Sequence, residues 1–217
     1  MDPVASDATA AWDALEEPWR VCLSLAWSAY GAGTIPVGAV LVDARGVVVA
    51  EGRNRVYEPV APPGQLAGGV LAHAELNALA GLDPEHSYED HVLYSSLESC
   101  LLCVGAAVMA TVGTVRYAGA DPYGGGESGL IGVDPRVQRL PTRFEGPRRD
   151  AFGMLASALL PAFYLNRDSD GLVVGAYEQR LPGTLAVARA LLDAGAPAAA
   201  AAGVPLSEAL PRFWRSL

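Results

Sequence analysis

The chain has 217 residues, of which 51% are hydrophobic and 18% charged, and its 24 acidic against 15 basic side chains give a formal net charge of −9. This composition excludes an intrinsically disordered chain, and the length fits one domain with a full-sized core. Three cysteines are too few for the disulfide framework of a secreted domain, and an acidic chain whose basic residues are all Arg is a poor general nucleic-acid binder.

The first third of the sequence predicts a helix, a hairpin and a loop. Apolar residues recur at three- and four-residue steps over 8–30, which indicates one amphipathic helix that ends before Gly31. Two β-rich runs, 35–42 and 46–51, are separated by a short polar turn and predict a β-hairpin. Three prolines and three glycines over 57–69 predict a loop.

The rest of the chain alternates helices with strands until about residue 166. The predicted elements are helices over 71–80, 100–110 and 150–165 and strands over 91–96, 113–118 and 143–145. A glycine-rich loop over 121–132 lacks the Gly-Lys-Ser/Thr of a phosphate-binding loop. The alternation predicts an α/β domain over 1–166, with a mixed sheet that opens in an antiparallel hairpin. Ala- and Leu-rich helices over 167–217 form a predicted C-terminal extension.

No targeting or membrane-spanning segment is predicted. The N-terminus lacks the basic and apolar regions of a signal peptide, and the longest apolar runs, 101–115 and 194–206, are shorter than the roughly 20 residues of a membrane span. We therefore expect a soluble, cytoplasmic protein.

Two short motifs carry the candidate chemistry, His73-Ala74-Glu75 and Cys100-Leu101-Leu102-Cys103. Each alone is weak, because a lone His on an apolar helix is more often a core residue and Cys-x-x-Cys also occurs by chance in buried helices. Together they supply one imidazole, two thiolates and one carboxylate near the starts of two predicted helices. That is the composition of a zinc site with three protein ligands and an open fourth position.

The spacing of these residues predicts their geometry. Cys100 and Cys103 lie on one face of the first turn of a helix, where the positive end of the helix dipole favours thiolate. His73 and Glu75 are about 200° apart on a helix, so they share a site only if it lies at the end of the helix. We therefore expect two helix N-termini to meet at one zinc ion. Glu75 is then a base rather than a ligand, and it carries a proton from the zinc-bound water to the substrate.

The two motifs resemble the His-x-Glu and Pro-Cys-x-x-Cys signature of zinc nucleobase deaminases. The chain is similar to the cytidine/deoxycytidylate deaminase superfamily over about residues 12–166, particularly to its tRNA adenosine, guanine and cytosine deaminase branch. Further similar segments are 35–42, 52–55, 93–98 and 117–121. The resemblance implies a three-layer α/β/α cytidine-deaminase-like fold, a zinc cofactor and a homodimer. The residues that it implies are the metal ligands His73, Cys100 and Cys103, the catalytic Glu75, and the substrate contacts Asn54, Ala74 and Asp121.

One residue departs from this pattern, because Ser99 stands where the family has Pro before the first Cys. Either residue can begin a helix, Pro through its fixed φ and Ser through a capping hydrogen bond. No metal ligand is lost. The change affects the loop beside the substrate, where the resemblance implies that the backbone N–H of Cys100 polarises a substrate carbonyl.

Other chemically active side chains are predicted to lie outside the zinc site. Cys22 lies in the apolar stripe of the first helix and is predicted to be a core residue. His86 and His91 flank a polar turn and are expected to be solvated. Tyr57 and Tyr123 occur in loops that could border the substrate pocket.

The sequence is compatible with three functions. The leading one is hydrolytic deamination of a free nucleobase or nucleoside, of amino-purine or cytosine type, in which zinc hydroxide attacks the ring carbon that bears the amine and ammonia leaves. The alternative is a tRNA or nucleic-acid adenosine or cytidine deaminase, which a net charge of −9 disfavours. A non-catalytic, zinc-stabilised protein is the third, and Glu75 argues against it because a structural site needs a fourth ligand rather than a base.

Overall fold

Helices and strands alternate along most of this computed structural model, which describes residues 3–126 and 142–217. The strands are β1 (Gly38–Val42), β2 (Val48–Arg53), β3 (Val92–Leu97), β4 (Thr114–Gly119) and β5 (Arg143–Glu145). The helices are α1 (Pro3–Ala14), α2 (Glu17–Gly31), α3 (Ala74–Leu79), α4 (Leu101–Met109), α5 (Ala151–Leu165), α6 (Leu172–Arg180), α7 (Pro182–Asp193), α8 (Ala196–Ala201) and α9 (Leu206–Ala209). The predicted glycine-rich loop over 121–132 lies partly outside the described residues.

Within the described part of the chain, five strands form a mixed sheet in the order β2-β1-β3-β4-β5. Strand β1 pairs antiparallel with β2 and β3, whereas β3, β4 and β5 are parallel. The predicted α/β class and the opening hairpin are confirmed. At the hairpin turn, Asp43 Oδ1 accepts hydrogen bonds from the backbone N–H groups of Arg45 and Val47, both at 2.9 Å.

The N-terminal helix prediction is wrong in one respect, because residues 8–30 belong to two helices rather than one. Helix α1 ends at Ala14, and α2 starts at Glu17 with Pro18 in its first turn. Proline has no N–H to donate and its ring clashes with a preceding helical turn, so it is favoured at a helix start and disfavoured in a helix interior. The apolar periodicity runs across this break, since both helices bury residues in the same core.

Both faces of the sheet are buried, and alternate residues of β1 enter two separate apolar clusters. Val40 and Val42 pack with α1, α2 and α5, whereas Ala39 and Leu41 pack with α3 and α4. This alternation follows from the two-residue repeat of a strand. The sheet therefore lies between two helical layers, as the family resemblance implied.

The helices after residue 166 pack against the rest of the protein. Leu191 of α7 and Phe213 near the C-terminus belong to the same apolar cluster as α2. The Trp27 indole donates to the Val204 carbonyl at 2.8 Å. The boundary between a domain over 1–166 and an extension over 167–217 stays a prediction. Among the residues described, no helix has the length and apolar character needed to cross a membrane.

Candidate functional site

The two chemical motifs lie at the N-termini of α3 and α4, as predicted. His73 and Cys100 are the residues that immediately precede these helices, and both have extended backbone conformations. Helix α3 is held in place by Asn77, whose side chain donates to the Arg53 carbonyl at 3.0 Å and accepts from the Leu66 N–H at 2.7 Å. Helix α4 begins shortly after β3, so the first cysteine, Cys100, lies just beyond the end of a central strand.

His73, Cys100 and Cys103 direct three donor atoms at one point. His73 Nδ1 lies 3.5 Å from Cys100 Sγ and 3.4 Å from Cys103 Sγ, and the two sulfur atoms are 3.5 Å apart. Zinc bonds of about 2.0 Å to nitrogen and 2.3 Å to sulfur, in tetrahedral geometry, separate the donor atoms by roughly 3.6 Å. The three side chains thus fit a zinc ion with three protein ligands, and the two-sulfur, one-nitrogen donor set suits that metal.

The environment of the two thiols favours metal binding. The contact with Cys103 lowers the pKa of Cys100 to about 4, and the neighbouring His73 ring acts in the same direction. The same contact, together with burial, raises the pKa of Cys103. Thiolate is the form that ligates a metal, so the site already stabilises one of the two negative charges that a divalent cation needs.

Glu75 lies beside this triad but is buried in the protein, with 4% of its surface exposed. Burial raises the pKa of its carboxyl group above the ordinary value. Its Oε1 atom accepts a hydrogen bond from Ser99 Oγ at 2.9 Å. A raised pKa strengthens the carboxylate as a base, which favours general acid–base catalysis by this residue.

The expected capping role of Ser99 is wrong. Cys100 occupies the N-cap position of α4, with no side-chain capping bond, and the Ser99 hydroxyl instead donates to Glu75. Ser99 is almost fully buried, and its backbone carbonyl accepts from the Gly126 N–H at 2.9 Å. No local sequence pattern indicates this contact, because it joins residues 24 positions apart.

A cavity of about 230 Å³ opens in front of the triad and Glu75. The residues that line it are Ile35, Val37, Asn54, His73, Glu75, Leu97, Glu98, Cys100, Asp121, Tyr123, Gly124, Leu160, Tyr164 and Val173. Its apolar walls and few polar groups are typical of a pocket for a small aromatic ligand, and its volume is below the roughly 300 Å³ at which pockets for drug-sized ligands begin.

The predicted substrate contacts occupy different positions relative to this cavity. Asn54 and Asp121 line it, whereas the Ala74 methyl packs in the core, which leaves only the backbone of Ala74 for a contact. Asn54 Oδ1 accepts from Thr34 Oγ1 at 2.9 Å and from the Val56 N–H at 3.1 Å. No described residue accepts from the Asn54 Nδ2 group, which can therefore donate to a ligand.

Asp121 is partly buried and also lines the cavity. Its Oδ1 atom accepts from the Tyr123 N–H at 2.9 Å, and burial raises the pKa of its carboxyl group. The cavity thus offers amide donors from Asn54 and carboxylate acceptors from Asp121, a combination that suits a heterocycle with both kinds of group.

Sequence reasoning missed part of the cavity wall. Leu160, Tyr164 and Val173 come from α5 and α6, far along the chain from the motifs, and no local pattern marks them. Glu98 also lines the cavity, and its Oε2 atom accepts from the Asp121 N–H at 3.3 Å. Its position directly before the Ser-Cys pair is the one signal that could have identified it.

The remaining predictions have mixed outcomes. Cys22 is fully buried, which confirms it as a core residue, and Tyr123 lines the cavity. Tyr57 is not among the lining residues and stacks on Phe163 instead. His86 is exposed as expected, but His91 is buried, because it follows Tyr88 into the start of β3 and packs against that ring.

The chain is similar in sequence to a family of deaminases. The model of the cytidine and deoxycytidylate deaminase zinc-binding region matches residues 13–119. A tRNA-specific adenosine deaminase of Aquifex aeolicus is 31% identical over 52% of this chain and 72% of its own length. A cytosine deaminase of Candida albicans is 30% identical over 42% of this chain and 56% of its own length.

The chain is also similar to part of a longer protein and to a solved structure. A tRNA(Ile)-lysidine synthase of Deinococcus radiodurans is 36% identical over 54% of this chain, which spans only 19% of that longer protein. The chain therefore spans less than two thirds of the lengths of the synthase and the cytosine deaminase. The solved structure of a guanine deaminase from Nitrosomonas europaea has a TM-score of 0.51 at 22% identity and covers 69% of this chain and 84% of its own, which shows the shared fold.

Proposed function

This chain belongs to the cytidine and deoxycytidylate deaminase family, and from that premise we propose that it hydrolytically deaminates a free nucleobase or nucleoside of the amino-purine or cytosine type. The observation that carries the proposal is that Glu75, His73 and Cys100 line one cavity with room for a single base, with Cys103 directly behind them in the cluster of metal donors. In the reaction, a bond forms between the oxygen of water and the ring carbon, and the bond from that carbon to the exocyclic nitrogen breaks. The ring gains a carbonyl group and ammonia leaves.

The proposed roles of the residues follow from their positions. Zinc held by His73, Cys100 and Cys103 would supply Lewis acidity to the attacking water. Glu75 takes a proton from the water and delivers it to a ring nitrogen, and it then takes the proton of the newly added hydroxyl group and delivers it to the departing amine. Asn54 Nδ2 donates to an acceptor on the base, and Asp121 accepts from a donor on it. These hydrogen bonds orient the amine-bearing carbon towards the water.

Charge favours a free base over a nucleic acid as the substrate. The net charge is −9, whereas a protein that binds a polyanion gains affinity chiefly from unpaired positive side chains. Five arginines of the described residues are paired with carboxylates: Arg45 with Asp43, Arg53 and Arg55 with Glu58, Arg116 with Glu145, and Arg148 with Asp150. A second candidate, deamination of tRNA, is favoured by the similarity to a tRNA-specific adenosine deaminase.

Release of ammonia tests both candidates. The zinc-loaded protein is incubated with adenine, guanine, cytosine and their nucleosides, and in parallel with tRNA anticodon stem-loops, with Glu75→Gln as the inactive control. We expect ammonia from one of the small substrates. Ammonia from the stem-loops alone, with tight, salt-sensitive binding, would establish the tRNA alternative. Full zinc occupancy without turnover of any substrate would support the non-catalytic interpretation.

We also propose that the protein is a cytoplasmic homodimer. Leu71, Leu101 and Leu102 are exposed, and each lies within two residues of a metal ligand, which is consistent with an apolar contact surface beside the site. The proposal of a cytoplasmic location is supported by the three cysteines, none of which forms a disulfide. Sedimentation equilibrium of the wild type and of Leu101→Glu tests the assembly, and a monomeric wild type at micromolar concentration would contradict it.

A further inference from the structure

We propose that Ser99 is a positioning residue that holds Oε1 of Glu75, so that Oε2 is the atom that exchanges protons with water and substrate. The inference rests on the proposed function, because it assigns a role within the same deaminase site. It concerns a residue at which this chain differs from the pattern of the family that it resembles, where Pro precedes the first cysteine.

The contact is short and enclosed. Ser99 Oγ lies 2.9 Å from Glu75 Oε1, and the two residues are only 3% and 4% exposed. Water therefore has little access to compete for this hydrogen bond. A bond from a hydroxyl to a buried carboxylate is among the stronger kinds in proteins, and it fixes the plane of the carboxyl group.

Ser99 is itself anchored on both sides. Its carbonyl accepts from the Gly126 N–H at 2.9 Å, and the preceding Glu98 N–H donates to the Gly119 carbonyl at 2.8 Å. The following residue, Cys100, forms a β-bridge with Gly125. A hydroxyl on so constrained a segment provides a fixed point for the longer and more flexible Glu75 side chain.

A second hydroxyl near Glu75 does not perform the same task. Ser95 Oγ is 3.3 Å from Glu75 Oε1, but it is 2.7 Å from the Leu97 carbonyl. A hydroxyl has one proton to donate, and the shorter contact takes it. Ser99 is thus the hydroxyl whose proton is directed at the carboxylate. Proline at position 99 has no side-chain donor, so the chain gains a contact that the family pattern lacks.

The contact can be tested without turnover, by NMR of zinc-loaded protein with ¹³C-labelled glutamate carboxyl groups. The Glu75 signal is assigned as the one that Glu75→Gln removes. We expect this signal to move in Ser99→Ala and in Ser99→Pro, and to stay near the wild-type position in Ser99→Thr, which keeps the hydroxyl. Ser96→Ala is the matched control. Ser96 is equally buried, and its oxygen accepts from the Gly38 N–H rather than contacting Glu75.

Kinetics on the substrate found by ammonia release provide the second readout. In Ser99→Ala, the loss of positioning should lower kcat about tenfold and leave KM within about twofold. The expected fall in kcat is smaller than the full contribution of general acid–base catalysis, because Glu75 itself is still present. Ser99→Thr should restore kcat, and Ser96→Ala should retain it. An unmoved Glu75 signal in both Ser99→Ala and Ser99→Pro would overturn the proposal. If no substrate turns over, the proposed function fails, whereas the carboxyl signal still decides the Ser99 contact.

Discussion

The guanidinium carbon of Arg167 lies 4.0 Å from the centre of the Tyr57 ring, so the start of the predicted C-terminal extension contacts the loop that follows Asn54. The same ring stacks on Phe163, with centroids 6.2 Å apart and planes 20° apart. Phe163 neighbours Tyr164, which lines the cavity. The Arg167–Tyr57 pair therefore joins two of the segments that shape the cavity.

Removal of this pair should loosen the cavity wall. In Arg167→Ala we expect a loss of about 1 kcal/mol in the free energy of unfolding, from the cation–π contact, together with a higher KM and little change in kcat. Urea denaturation and steady-state kinetics measure the two effects. Arg167→Lys, which keeps the charge, should recover part of both. Unchanged KM and stability in Arg167→Ala would show that the contact does not support the cavity.

Replacement of Glu75 should separate catalysis from metal binding. Glu75→Gln keeps the shape of the side chain but cannot carry the proton, and we expect kcat to fall by about 10²–10⁴. Zinc content, measured by mass spectrometry, should stay at the wild-type level because the donor triad does not include this carboxylate. Loss of zinc in this variant would make Glu75 a ligand and contradict its assigned role.

The three cysteines allow a matched test of the metal site. Cys103→Ser removes a donor that converges with His73 and Cys100 within 3.5 Å, so we expect bound zinc to fall well below one ion per chain after dialysis. Cys22→Ala is the control. Cys22 is also buried, but its thiol contacts the Gly38 carbonyl at 3.1 Å, away from the triad. Equal zinc content in the two variants would refute the assignment.

Asn54 should affect substrate binding through its free amide donors. Asn54→Asp keeps the volume but replaces the Nδ2 donor by a carboxylate oxygen that repels an acceptor on the base. We expect KM to rise by at least tenfold, equivalent to a loss of roughly 1.5 kcal/mol from an unpaired polar contact. Thr34→Val removes the hydroxyl that orients Asn54 and should give a smaller rise. A lower KM in Asn54→Asp would mean that the substrate presents a donor there.

The convergence of His73, Cys100 and Cys103 could be predicted from the sequence because it depends on local structure. His73-x-Glu75 and Cys100-x-x-Cys103 each lie at a helix start, and a helix start fixes where the side chain before it points. The unbroken apolar sequence of β1 is likewise typical of a strand buried on both faces. The walls formed by Tyr164 and Val173 had no such signal, because their position depends on how α5 and α6 pack over the sheet. The burial of His91 and the contact between Ser99 and Glu75 also arise only from tertiary packing.

The final prediction concerns a glycine that links the sheet to the site. A Cβ atom on Gly119, at the end of β4, would lie 2.4 Å from the Ser157 backbone nitrogen of α5, so Gly119→Ala must push the helix and strand apart. We expect a loss of about 1–3 kcal/mol in stability. The Gly119 carbonyl also accepts from the Glu98 N–H, two residues before Cys100, so zinc affinity should fall as well.

Gly175→Ala in α6 is the matched control, because a Cβ atom there meets nothing within 4 Å. This variant should instead stabilise the protein by up to about 1 kcal/mol. Thermal and urea unfolding of the pair, with zinc competition by a chelator, measure these effects, and equal stability of the two variants would refute the close packing of α5 on β4.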